Sequence, residues 1–97
     1  MKIYEVVYLL CRKEDVYYSE HAALDMIRKG ITHDDVCYVL CQYKPHKKVR
    51  DETGESIDGF KYTYIGQTES GRFLYIACKV VNVPRLGLEL KIISCHE

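Results

Sequence analysis

His21, Asp25 and Arg28 stand at i, i+4 and i+7 within Ser19–Lys29, so a helix over that segment places all three along one face. Such a face offers proton transfer beside an anion, and metal-independent RNA cleavage is one reaction of that kind. That reaction needs a base near the 2′-hydroxyl, an acid for the leaving oxygen and cations beside the phosphate. His21 is the best single candidate for the proton, because an unperturbed imidazole titrates at about 6.5, close to neutrality. Asp25 would orient the ring, while Arg28, Lys29 and Arg72 meet phosphate. Tyr62, Tyr64 or Tyr75 would stack on a base or donate a proton. A plainer reading stays open beside this one: His21 seats the start of the helix, and Asp25 with Arg28 makes a solvated ion pair.

Other constellations carry less. Lys44-Pro45-His46-Lys47-Lys48-Val49-Arg50 is the one basic cluster, and it could follow a phosphate backbone. Asp51, Glu52, Glu55 and Asp58 come directly after it, which favours neutralisation within the same hairpin. His33, Cys37 and Cys41, with Cys95 and His96, invite a metal reading. Helical rise separates positions 33 and 41 by about 12 Å, too far to share one tetrahedral zinc. No metal and no cofactor are therefore expected, and the thiols read as small hydrophobes. No cysteine sits beside an activating base in the sequence, so a cysteine nucleophile is not expected either.

The chain has 97 residues, 47% hydrophobic and 29% charged, ordinary globular usage for one domain over 1–97. Fourteen basic and fourteen acidic residues cancel to zero formal charge, which argues against strong nonspecific nucleic-acid binding. Nine Tyr, two Phe and no Trp suit half-buried strands, interfaces and ring stacking. The first residues lack the pattern of a signal peptide, and the longest apolar run, Val6 to Cys11, is too short to cross a bilayer. Five cysteines without a C-x-x-C pair fit reduced thiols better than a disulfide framework. The expectation is a cytoplasmic protein with no membrane partner.

The elements follow from periodicity. Ile3, Val7 and Leu10 have helical spacing, although the β-branched and aromatic content of Ile3–Lys13 would also suit a strand; helix is the preferred reading. Val16-Tyr17-Tyr18 reads as an extended connector. Ser19 is an N-cap for a helix through Lys29, and Gly30-Ile31 fits its left-handed end. Thr32 with Asp35 forms an acidic variant of the capping box for a second helix through Tyr43, which Pro45 prevents from continuing. The period then changes to two. His46–Asp51, Phe60–Ile65, Arg72–Asn82 and Leu88–Cys95 read as strands, with Leu74, Ile76, Cys78 and Val80 on one face. The fold class is α+β: N-terminal helices packed on a three- to four-stranded antiparallel sheet.

The order Ser19-Glu20-His21-Ala22, Met26, Gly30-Ile31, then Tyr64-Ile65-Gly66, Gly71-Arg72, Leu74 and Ile92-Ile93-Ser94 resembles a small bacterial family catalogued as domain of unknown function four-two-five-eight. More distantly it is similar to BrnT and RelE-type ribonuclease toxins, which share a helix-then-sheet layout. The resemblance covers roughly Val16 to Cys95. It implies a toxin–antitoxin setting, with RNA as substrate or ligand and an antitoxin-like protein as partner. His21 and Arg72 match the family pattern. Asp25 and Lys29 stand where that pattern has arginines, and Tyr75 where it often has histidine, so one cation and one titratable group are missing from the implied cleft. Two functional readings follow. One is an RNA-cleaving or RNA-binding domain; the other is a noncatalytic protein-interaction module, self-association included, using the Tyr-rich sheet or a strand edge. Convergence of His21, Arg72 and a tyrosine hydroxyl in one concave site favours the first, and their scatter favours the second.

Overall fold

The apolar stripe beginning at Ile3 winds into a helix, α1 (Ile3–Arg12), in a computed structural model that describes residues 1–97. Helical spacing prevails over β-branching here because it places Val7, Leu10 and Cys11 together in the core. Glu14 takes a left-handed φ of 63°, and the chain turns into β1 (Val16–Tyr18). Ser19 caps α2 (Glu20–Lys29), accepting the Ala22 N–H at 3.1 Å. The Ser19 hydroxyl also donates to the Ile93 carbonyl at 2.7 Å, which pins the helix start to the last strand. Gly30, at φ 65°, closes α2 with the Ile31 N–H returned to the Met26 carbonyl. Thr32 and Asp35 make the expected reciprocal cap, at 3.0 and 3.1 Å, opening α3 (His33–Gln42).

After α3 come β2 (Lys47–Arg50), β3 (Phe60–Gln67), β4 (Phe73–Val83) and β5 (Gly87–His96). The spatial order is β1-β5-β4-β3-β2. β2 through β5 form the antiparallel meander read from the sequence. The expected three to four antiparallel strands are corrected to five strands in a mixed sheet, because β1 pairs in parallel with β5 (Val16↔Leu90, Tyr18↔Ile92). The cause is the open edge of β5, whose peptide groups need partners. The Leu90 N–H donates to Asp15 O at 2.8 Å, and the Ser19 N–H donates to Ile92 O at 2.9 Å. Between β4 and β5 the register shifts past Ile93, leaving its carbonyl to the Ser19 hydroxyl.

Tyr62, Tyr64, Leu74, Ile76, Cys78, Val80, Leu90 and Ile92 face the helices and are buried with Val7, Leu10, Val36, Val39 and Leu40. The other face has no helix over it. At one corner the loop from Asp51 to Gly59 folds along β4, with Ser56 bridging Val81. The remainder presents Val49, Ile65, Phe73, Tyr75 and His96. No helix is long and apolar enough to cross a membrane.

Candidate functional site

His21 and Asp25 do meet, with Nε2 and Oδ2 3.2 Å apart, but the His21 side chain is 70% exposed. An imidazole so wet has no pocket around it to hold a reacting atom. Arg28 and Lys29 are exposed near the far end of the same helix. Arg72 joins them there, and all three of its nitrogens are already engaged. Its guanidinium donates to the Lys29 carbonyl at 2.8 Å, the Gly30 carbonyl at 3.1 Å and the Glu97 carboxylate at 3.0 Å. The last carbonyls of a helix lack internal partners, and a cation answers both their hydrogen bonding and the negative end of the dipole. The three cations Arg28, Lys29 and Arg72 therefore gather at the C-terminal end of α2, while His21 sits in its first turn, about 12 Å away along the axis.

The three tyrosines divide between opposite faces of the sheet. Tyr62 and Tyr64 lie opposite Cys78 and Ile76 on the helix-covered face. Tyr64 is fully buried and its hydroxyl has no hydrogen-bond partner; burial pushes that phenol well above its ordinary range. The Tyr62 hydroxyl donates to Asp58 at 2.6 Å, and burial together with that carboxylate pushes it up to about 12. Neither ring can stack on a base, which corrects that expectation for both. Tyr75 is on the open face, 41% exposed, its ring stacked on His96 at 5.5 Å. Three open concavities of about 420, 450 and 460 Å³ lie along α1, the first two against α3 and the third against the turn into β5, and none is lined by His21, Arg72, Tyr62, Tyr64 or Tyr75. The residues expected to form one cleft are scattered.

The basic run is not neutralised as expected. Lys47, Lys48 and Arg50 stay exposed on β2, and Lys48 sits over the Phe60 ring at 4.4 Å. Asp51 instead turns to Lys79, a lysine buried on the open face of β4. The Lys79 ammonium donates to both Asp51 oxygens at 3.2 Å and to Thr53 Oγ1 at 2.9 Å. It lies 2.7 Å from Glu55, which also pairs with Lys91 at 3.3 Å. Burial works against ionising Asp51, but hydrogen bonds from Thr53, the Ser56 N–H and Lys79 prevail and lower its pKa to about 2. This cluster fastens the loop and leaves Lys79 fully satisfied.

His33 and Cys37, paired in the sequence only through a metal reading, stand in a different group. His33, at the start of α3, is held through Nδ1 by the Tyr18 hydroxyl and through Nε2 by Glu14 at 2.8 Å. It thereby joins the end of α1, β1 and α3. Cys37 lies one turn on, its Sγ 3.4 Å from His33 Nε2, so a cysteine does stand beside a base. The i, i+4 spacing signalled this neighbour; the contributions of Glu14 and Tyr18 came from other elements and had no local signal. The influence of the Cys11 thiol and of His33 outweighs burial and lowers the Cys37 pKa. Burial raises Cys78 to about 12 and Cys95 to about 11. No group of three or more His, Cys, Asp or Glu side chains has the arrangement of a metal site. No protein-family model, no curated protein and no solved structure matches this chain.

Proposed function

We propose that the chain is a noncatalytic protein-interaction module whose contact surface is the uncovered face of the sheet, and that the partner is a second copy of itself. One observation carries this reading. Phe73 is 58% exposed and Tyr75 and Val49 each 41% on that face, next to Ile65, while His21, Arg72 and the tyrosine hydroxyls point to separate places. Large aromatic side chains standing free on an ordered strand favour burial against another apolar surface. The formal net charge of zero removes long-range repulsion between copies. The strands, three to eleven residues long and spaced at about 4.8 Å, span roughly 570 Å² in projection, and the Asp51–Gly59 loop covers one corner of it. What remains is the size of a small interface, which suits a weak, concentration-dependent dimer.

The same face also supports the RNA reading that the family resemblance implies. Phe73, Tyr75 and His96 stand on adjacent strands of an open sheet, with Lys47 and Lys61 on the same side. Sheets that bind single-stranded RNA stack bases on such rings. Two measurements on the same variants separate the readings. Sedimentation should show a concentration-dependent dimer that Phe73→Glu and Tyr75→Ala convert to monomer, while a labelled single-stranded RNA should not bind saturably. A strictly monomeric wild type that binds this RNA through Tyr75 would sink the interaction reading. RNA cleavage lost in His21→Ala would restore the catalytic one.

A further inference from the structure

Three thiols and an imidazole meet where α1 packs on α3. Cys11 is in the last turn of α1 and buried, while Cys37 and Cys41 are half-buried one turn apart on α3. Cys37 and Cys41 pack against the core cluster that holds Cys11, and all three thiols face one concavity between the two helices. His33 Nε2 is 3.4 Å from Cys37. An open concavity of about 450 Å³ admits solvent to this place, with Cys11, Cys37, Cys41, Arg12 and Tyr38 among its walls. Cys78 and Cys95, in contrast, are sealed within the sheet at 0% exposure.

We propose that Cys37 and Cys11 form a peroxide-responsive pair, in which Cys37 is oxidised first and Cys11 resolves it to an intrachain disulfide linking α1 to α3. The Cys37 thiolate attacks one oxygen of hydrogen peroxide; the O–O bond breaks, hydroxide leaves, and Cys37 becomes a sulfenic acid. Cys11 then loses its proton and attacks the Cys37 sulfur. The S–O bond breaks, hydroxide leaves, and the disulfide forms. The two thiols together give up two electrons and two protons, and the peroxide is reduced to two waters. Cys37 is the first target because the His33 imidazole, 3.4 Å away, stabilises its thiolate on the wall of an open concavity that small oxidants reach. Cys41 is the poorer resolving thiol. On one helix, Cβ bonds four residues apart run nearly parallel, so their sulfurs do not converge to disulfide geometry. Cys11 comes from the facing helix and shares the wall of the same concavity.

The test treats the reduced full chain with hydrogen peroxide, blocks remaining thiols with an alkylating agent and maps the peptides by mass. The expected product is a Cys11–Cys37 link within one chain, with Cys78 and Cys95 alkylated only after unfolding. Cys11→Ser should accumulate a sulfenic acid at Cys37 that a cyclic 1,3-diketone traps, about tenfold faster than at Cys41. A Cys37–Cys41 link, a link between chains, or methionine oxidation ahead of any thiol would overturn the proposal. Because the wild-type peptide map distinguishes these products by itself, the test holds even if a variant fails to fold.

Discussion

Arg72 shows how a side chain suited to phosphate can be taken up by the fold. Its guanidinium spans two carbonyls at the end of α2 and one carboxylate. Arg72→Ala should therefore lower stability by about 1–2 kcal/mol, the scale of hydrogen bonds from a charged donor tempered by partial exposure. The urea midpoint should fall with the slope unchanged. Arg72→Lys should recover only part of the loss, since an ammonium lacks the planar fork that reaches both carbonyls. Asp51 gives a second test at this scale. Its folded pKa is about 2 against an ordinary 3.8, so its contribution is fully present above the ordinary value and disappears as pH falls towards 2. Stability should drop across that acid window, and Asp51→Asn should flatten the drop; an unchanged profile in the variant would contradict the assignment. At this scale the sequence was legible where partners lie one helical turn apart, as with His21 and Asp25. It was silent where they cross elements, since nothing local places Lys79 against Asp51 or Glu14 against His33.

Caps and apolar periods announced α1, α2 and α3 and the meander, because each depends on residues close in the chain. β1 left no such trace. Three residues are too few to display a period of two, and what makes Val16–Tyr18 a strand is the unpaired edge of β5 more than seventy positions away. The same distance hides the demand made on Gly66. A Cβ at that position would run into the ring of Tyr43, whose hydroxyl accepts the Gln67 N–H at 3.0 Å. The end of α3 thus rests directly on the backbone of β3, an approach only glycine allows. Gly66→Ala should cost about 2 kcal/mol through overpacking. It should also raise the hydrogen-exchange rate of the Gln67 amide, as the displaced tyrosine gives up that bond. An amide as protected as in wild type would mean that the ring has room to slide.

Over the whole molecule, one sheet face closes the core and the other carries aromatic rings towards solvent. Alternation along β4 assigned Leu74 and Ile76 to the core, yet it assigned no face to Tyr62 and Tyr64 relative to Tyr75. That depends on register between strands, Tyr64 lying opposite Ile76 and Tyr75 opposite Ile65. The charge balance then discriminates between the two occupants the open face can take. The proposed association of two copies through Phe73, Tyr75 and Val49 would bury apolar surface between chains of zero formal net charge, so it would involve little long-range electrostatic work. Its dissociation constant should change by less than about threefold as salt rises from roughly 0.1 to 0.5 M, because screening removes little that was present. Its heat capacity change should be negative, as apolar burial requires. RNA held on the same rings with Lys47 and Lys61 would release counterions and weaken about tenfold or more over that range. Sedimentation across a salt series, with calorimetric dilution at several temperatures, measures both quantities. A dimer that dissolves steeply with salt would show that the charged margin of the sheet, rather than its aromatic centre, holds the partner.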